Sequence, residues 1–182
     1  MQRCREEAIQ IAFLNWVIDE HDLVVMPPGV QRAFYQRRAK THGSPWFTAL
    51  GAQLPGDMGR CLWRDSWNAA LYAPLKEAQQ PEDVIFHKNR PSGMWSLDQD
   101  MHRYLRQHDK KTVIFAGVNT DQCVLGTLTD AYSNGFDCIL LGDCTGTQSG
   151  FQANELCDWN VATMYGFVTD SASFVSSVRE TD

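Results

Sequence analysis

The chain has 182 residues, 43% of them hydrophobic and 21% charged, which is the composition of a globular protein with enough apolar surface for one core. Its formal charge of -6 argues against nucleic acid or an anionic membrane as a partner, because both require clustered Lys and Arg. No apolar run approaches the roughly 20 residues of a membrane helix, and the six cysteines have neither metal-site spacing nor a disulfide pattern. These features predict reduced thiols and a cytoplasmic location, with export without a leader left open.

The first part of the chain predicts a helix end, a strand and a long irregular segment. Residues 2–8 are polar and indicate the end of a helix, and the β-rich apolar residues 9–16 predict a buried strand. Residues 30–38 predict a short helix that begins near Pro28, whereas residues 39–64 are rich in turn-forming residues. A long irregular segment of this kind usually serves a site or a subunit contact.

Asp19 and His21 follow the first strand with a spacing that could supply two ligands of one metal ion. No second histidine follows shortly afterwards that could add a further ligand. The alternative is a charged loop, and we predict neither a metal nor another cofactor.

The middle of the chain predicts a second strand between two helical segments. Residues 67–75 indicate a short helical turn that Pro74 is expected to end. Residues 84–87 predict a buried strand that delivers Lys88 at its carboxyl end, where a lysine is either a surface residue or part of a site. Residues 97–105 have apolar side chains at helical spacing and predict an amphipathic helix.

The segment from Thr112 to Ala131 predicts a strand, a sharp turn and a helix. Apolar residues run from Val113 to Ala116, polar residues able to cap a helix follow, and apolar residues then recur at helical spacing. Cys123 falls in the first turn of this helix, where unpaired backbone N–H groups stabilise a thiolate. The alternative is an inert core thiol, since free cysteines are among the most buried residues.

The last part predicts a further parallel strand, a helix and an edge strand. Residues 136–141 predict the parallel strand, and a loop is expected at 143–145, whose Cys144 we interpret as structural rather than as a second site thiol. Residues 154–165 predict the helix, and Phe167 opens the edge strand. The helix residues expected to face inward are Leu156, Val161 and Met164.

Strands that alternate with helices at these intervals predict a three-layer α/β/α fold with a mainly parallel sheet, in one domain over residues 1–182. Ligands of such sheets bind at the carboxyl ends of the strands. Lys88 and Cys123 both follow strand ends, so we expect them to meet at one site.

Two segments resemble the motifs of the isochorismatase-like cysteine hydrolases, a superfamily that includes nicotinamidases and other small-amide hydrolases. Residues 117–124, GVNTDQCV, with Thr127 and Asp130-Ala131 after them, are similar to the nucleophile motif. Residues 84–95, VIFHKNRPSGMW, are similar to the strand that carries the catalytic lysine and to the loop over the pocket. The resemblance extends over residues 9–174.

The resemblance implies a Rossmann-like hydrolase that acts on a small amide or an isochorismate-like molecule without a cofactor. It also implies a homo-oligomer, which sedimentation velocity would detect. Cys123 would be the nucleophile, with Lys88 as a cation that favours its thiolate. Backbone N–H groups of Asn119 and Cys123 would stabilise the oxyanion, and the peptide bond between Val118 and Asn119 would be cis. The side chains expected to line the substrate pocket are those of Asn15, Trp16 and Trp95. The two tryptophans could equally belong to the hydrophobic core.

The third member of this family's catalytic trio is an aspartate on a first strand, and nothing before Ile9 can supply it. The first aspartate of the chain, Asp19, comes after the strand at 9–16 instead. The chain therefore either lacks its natural N-terminal segment or is a member that has lost the acid. A catalytically impaired pseudoenzyme or a binding subunit of the same fold is thus the alternative to an enzyme. A thiol redox protein is disfavoured because there is no Cys-x-x-Cys pair.

Overall fold

Parallel strand pairing dominates the structure, a computed structural model that describes residues 1–31 and 50–177. The chain divides into two compact units, Met1–Arg90 and Pro91–Asp182. Each contains a parallel sheet with helices, which confirms the predicted α/β class. Within the described residues, no helix is long and apolar enough to cross a membrane.

The sheet of the first unit consists of β1 (Ala12–Trp16) and β2 (Val84–Lys88), which pair from Ala12 opposite Val84 to Trp16 opposite Lys88. The predicted first strand is shorter than residues 9–16, because the Ile9 N–H donates to the Cys4 carbonyl oxygen at 2.7 Å and closes the end of helix α1 (Gln2–Glu6). Two strand ends therefore meet at Trp16 and Lys88.

The helices of the first unit are short. They are α2 (Glu20–Val25), α3 (Pro28–Gln31) and α4 (Ala73–Glu77), with a 3-10 turn at Trp67–Ala69. Of the predicted helix at residues 30–38, only Val30 and Gln31 are described; they belong to α3, and residues 32–38 lie outside the described residues.

Pro74 was expected to end a helix, and that prediction is wrong: it lies in the first turn of α4. A proline is tolerated there because the first N–H groups of a helix have no carbonyl partner inside it. The helical turn predicted at residues 67–75 is in fact two separate elements.

Asp19 caps α2 and does not sit in a charged loop. Its carboxylate accepts the Asp22 N–H at 3.1 Å, while the Asp22 carboxylate accepts the Asp19 N–H at 3.0 Å. Arg64 forms an ion pair with the Asp19 carboxylate at 3.1 Å. The hydrogen bond from the Asp22 N–H above all, and then the Arg64 guanidinium, lower the pKa of the Asp19 carboxyl. In residues 1–31 and 50–177 no three His, Cys, Asp or Glu side chains are grouped so as to hold a metal ion.

The described part of the predicted irregular segment, residues 50–64, is held by the side chain of Asn68. Its Nδ2 donates to the carbonyl oxygens of Met58 and Arg60, and its Oδ1 accepts the Leu62 N–H at 2.7 Å. Residues 39–49 of that segment lie outside the described residues. The segment packs over a core of Ile18, Met26 and Leu50.

The sheet of the second unit has the order β3-β4-β5, from β3 (Thr112–Val118), β4 (Asp137–Gly146) and β5 (Phe167–Thr169). The predicted loop at residues 143–145 is wrong, because the pairing shifts register after Phe115 and resumes with Gly117 opposite Thr145. β4 therefore runs as far along the sheet as the end of β3.

The helices of this unit are α5 (Asp100–Gln107), α6 (Leu125–Ser133), α7 (Phe151–Asn160) and α8 (Ser171–Ser176), with π-helical turns at Thr120–Val124 and Val161–Tyr165. Leu97 precedes α5 and is exposed, so the amphipathic helix is shorter than predicted. Met101 and Leu105 are buried, as its spacing predicts.

The inward face of α7 is marked by the buried pair Cys157 and Val161, four residues apart. Val161 is confirmed as an inward residue, whereas Leu156 and Met164 are exposed and the prediction for both is wrong. Leu156 lies one residue, or about 100°, from this face. Met164 lies in the π-helical turn, whose wider winding moves it off the face.

Candidate functional site

Cys123 lies in the turn that follows β3. The peptide bond between Val118 and Asn119 is cis, at the position that the sequence predicts, and the chain then enters the π-helical turn. The Asn119 carbonyl oxygen accepts the N–H groups of Gln122 at 3.1 Å and Val124 at 3.2 Å. Cys123 is thus in the first turn after the strand, half-buried, with α6 directly behind it.

Three polar side chains at this turn, those of Asn119, Asp121 and Gln122, make hydrogen bonds with residues 147–149, which follow β4. Asn119 does not cap the helix; its Oδ1 accepts the Gln148 N–H at 3.2 Å. Asp121 accepts the hydroxyl of Thr147. Hydrogen bonds therefore join the turn to the segment after β4, at the carboxyl ends of two neighbouring strands.

Thr127 joins the turn to a second segment. Its hydroxyl donates to the Cys123 carbonyl oxygen at 2.8 Å and accepts the Gly93 N–H at 3.2 Å. Gly93 and Met94 are buried, and Trp95, the next residue, is 44% exposed. The loop that carries Trp95 is thus fixed to the backbone of the candidate nucleophile.

The other thiols of the second unit have raised pKa values. Burial, reinforced by Asp137, raises the pKa of the Cys138 thiol to about 11. Burial also raises the pKa of Cys157, with Asp121 and Asp158 adding to it, and the pKa of Cys144, with Asp143 adding to it. A raised pKa lowers the fraction of thiolate at neutral pH, and the thiolate is the form that attacks.

Lys88 ends β2 in the first unit and is 5% exposed, so it is not the surface lysine of the alternative interpretation. Its Nζ lies 5.2 Å from the centroid of the Trp16 ring. A buried ammonium over the face of a tryptophan is stabilised by the ring quadrupole. Asn15, the neighbour of Trp16, is half-buried and donates its amide to the Ala69 carbonyl oxygen at 2.7 Å.

The predicted site residues fall into two groups. Asn15, Trp16 and Lys88 belong to the first unit, where the structure brings the last two together. The second group belongs to the second unit and consists of Trp95, Val118, Asn119 and Cys123. Sequence reasoning missed the hydrogen bonds between the Cys123 turn and residues 147–149. The contact between Thr127 and Cys123 could have been predicted, because residues four apart on a helix lie next to each other.

A pocket of about 420 Å³ lies elsewhere in the second unit, lined by Phe136 and Asp137 before and at the start of β4 and by Phe167 at the start of β5. Cys123 follows the carboxyl end of β3, so this pocket is at the opposite end of the sheet. It plays no part in the candidate site.

A family model for the isochorismatase domain matches residues 2–173. The ureidoacrylate amidohydrolase RutB of Variovorax paradoxus (strain S110) is 31% identical over 119 residues, which cover 65% of this chain and 46% of that relative. The match therefore spans about half the length of this relative.

Solved structures show the same fold at lower identity. The cysteine hydrolase from Pseudomonas syringae pv. phaseolicola 1448A has a TM-score of 0.70 and 22% identity, covering 96% of this chain and 74% of that one. The nicotinamidase PncA from Bacillus subtilis has a TM-score of 0.63 and 18% identity, covering 93% of this chain and 79% of that one. Since the family model spans nearly the whole sequence, this chain belongs to the isochorismatase family.

Proposed function

We propose that this protein is a hydrolase that uses Cys123 as its nucleophile on a small amide or isochorismate-like substrate. The observation that carries the proposal is the position of Cys123, a half-buried thiol in the first turn after β3. The carboxyl end of a strand in a parallel sheet is where ligands bind, and a helix start there stabilises a thiolate.

An amide is the favoured substrate class. The relatives named above include a ureidoacrylate amidohydrolase and a nicotinamidase, both named for amide substrates. Cysteine also suits acyl chemistry, in which the thiolate forms a covalent intermediate. Hydrolysis of the vinyl ether of isochorismate chiefly needs a proton donor and can proceed without a thiol.

The proposed reaction has two steps. The Cys123 sulfur attacks the amide carbonyl carbon, the C–N bond breaks, and the departing nitrogen takes up the proton that the thiol loses and leaves as an amine or ammonia. Water then attacks the resulting thioester, which releases the carboxylic acid and returns the thiol. The backbone N–H groups of Asn119 and Cys123 are the proposed donors to the oxyanion in both steps.

The remaining proposed roles belong to Lys88 and to the three predicted substrate-binding residues, Asn15, Trp16 and Trp95. Lys88 would favour the thiolate and the anionic transition state, because a buried cation is weakly screened by solvent. Trp16 and Trp95 would contact the substrate. Asn15 would act beside them, although its amide already binds the Ala69 carbonyl oxygen.

The test compares the purified protein with Cys123→Ala and with Cys144→Ala, which removes an exposed thiol of the same unit. Ureidoacrylate, nicotinamide and isochorismate serve as substrates, with products detected by mass spectrometry. Hydrolysis should be lost in Cys123→Ala and kept in Cys144→Ala. Iodoacetamide near neutral pH should label Cys123 in the wild type faster than Cys138 or Cys144.

Two results would contradict the proposal. Equal labelling rates at Cys123 and Cys144 would show that Cys123 is not an activated thiol. Binding of an amide by calorimetry without any turnover would instead favour the catalytically impaired binding subunit.

A further inference from the structure

The hydroxyl of Thr127 connects two parts of the second unit that are far apart in sequence. It donates to the Cys123 carbonyl oxygen and accepts the Gly93 N–H, 34 residues away. Thr127 is 2% exposed, and Gly93 lies between the buried residues Ser92 and Met94. The hydrogen bond from Gly93 is therefore shielded from water, and the one to Cys123 is partly shielded. Shielding makes a hydrogen bond stronger and its loss more costly than at a surface.

The geometry of the bridge is asymmetric. A threonine hydroxyl has one proton to donate, and here it goes to the residue whose thiol is the candidate nucleophile. The acceptor side of the same oxygen holds the loop through the backbone of Gly93. One side chain thus fixes the distance between the nucleophile turn and the loop that ends in Trp95.

The side chains earlier in the turn reach a different segment. Asn119, Asp121 and Gln122 make hydrogen bonds with residues 147–149, after β4. Thr127, on the helix behind the turn, instead reaches Gly93 in the segment that leads to Trp95.

We propose that Thr127 is a positioning residue for the reaction, which holds the Cys123 turn and the Gly93 loop at the separation that the substrate needs. This rests on the proposed function of Cys123. Thr127 does not touch the reacting atoms; it acts through the backbone of Cys123 on one side and of Gly93 on the other. Misplacement of a reacting group by about 1 Å is enough to lower a rate on the order of 100-fold.

The experiment uses Thr127→Val, which keeps the shape of the side chain and removes both hydrogen bonds, and Thr127→Ser, which keeps the hydroxyl. Thr129→Val is the matched control, because the Thr129 hydroxyl donates to Gly126 within the same helix and reaches no other segment. The probe is iodoacetamide, and the rates of alkylation of Cys123, Cys138 and Cys144 are followed separately by mass spectrometry of the peptides.

We expect iodoacetamide to alkylate Cys123 about 10- to 100-fold more slowly in Thr127→Val than in the wild type. In Thr127→Ser and Thr129→Val the rate should be close to that of the wild type. A role in general stability alone would instead expose the buried Cys138 and speed its labelling. The proposal therefore requires that Cys138 stay as slow in Thr127→Val as in the wild type.

Several outcomes overturn it. A wild-type rate at Cys123 in Thr127→Val does so, as does faster labelling of Cys138 in that variant. If Thr127→Val is recovered only as aggregate, Thr127→Ser decides: a loss of Cys123 reactivity there shows that the hydroxyl bridge is not what matters. A wild-type Cys123 no more reactive than Cys144 is a different result, because it removes the proposed function itself.

Discussion

At the scale of single residues, Lys88 stands out as a buried charged group. Lysine is rarely fully buried, because its ammonium then loses its hydration, and Lys88 is 5% exposed beside the Trp16 ring. A cation kept in such a place is a candidate for function, because burial of a charge opposes folding unless other interactions offset it.

Lys88→Met tests that role. It keeps the length of the side chain and removes the charge, so it should slow alkylation of Cys123 and lower hydrolysis by about 100-fold or more if the ammonium assists the reaction.

The control for this prediction is Lys76→Met, which removes the same charge from an exposed position on α4. Equal activities for Lys88→Met and Lys76→Met would remove Lys88 from the proposed site.

Cys138 gives the second prediction at this scale, which concerns stability at alkaline pH. Burial raises the pKa of its thiol to about 11, whereas a cysteine in an unfolded chain has a pKa of about 8.5. Between these values the unfolded chain releases the proton and the folded chain keeps it. The free energy of unfolding therefore falls as pH rises through this window, by roughly 1 to 3 kcal/mol in total.

Urea unfolding of the wild type and Cys138→Ala at about pH 8 and pH 10 measures this effect. The variant loses a buried side chain and starts less stable, but its stability should fall less steeply with pH. Parallel slopes for the two proteins would show that Cys138 does not retain its proton when folded.

At the scale of the element, the start of β5 depends on the absence of a side chain at Gly166. A Cβ atom at that position would lie 2.1 Å from the Cys138 carbonyl oxygen and 2.9 Å from its carbonyl carbon. The obstacle is the backbone of the neighbouring strand, which cannot rotate away as a side chain can.

Gly166→Ala should therefore destabilise the protein by about 3 kcal/mol or more, through overpacking and displacement of β5 from β4. Gly126→Ala is the matched substitution, since Gly126 lies in α6 with nothing within 4 Å of the added atom. It should stabilise the protein by about 0.5 to 1 kcal/mol, because alanine favours a helix. Urea unfolding that gives the two variants the same sign of change would contradict this account.

Elements with a strong local pattern are the ones that the sequence predicts well. β3 and α6 follow from an apolar run, a polar turn and helical spacing, and this order alone puts Cys123 in the first turn. Pro74 was misjudged because a proline fits the first turn of a helix as readily as the residues after its end. The continuation of β4 to Gly146 could not be predicted, because it depends on a register shift in its partner.

At the scale of the whole molecule, composition and the order of elements are enough to predict the α/β class, because alternating strands and helices leave few ways to bury both faces of a sheet. The contacts around the candidate site are a different matter. The bond from Gly93 to Thr127 joins residues 34 apart, and the one from Gln148 to Asn119 joins residues 29 apart. No local pattern of apolar and polar residues encodes such pairs, so the sequence alone predicts the nucleophile and not what holds it.

The order of the second sheet has a consequence for the exchange of backbone hydrogens with solvent. β3 pairs with β4 and with no other strand of residues 1–31 and 50–177, so alternate amides of β3 point away from the ladder. In deuterated water these amides should exchange much faster than their neighbours in the same strand, as NMR would resolve residue by residue. Uniformly slow exchange along β3 would mean that another strand covers this edge in solution, beside the turn that carries Cys123.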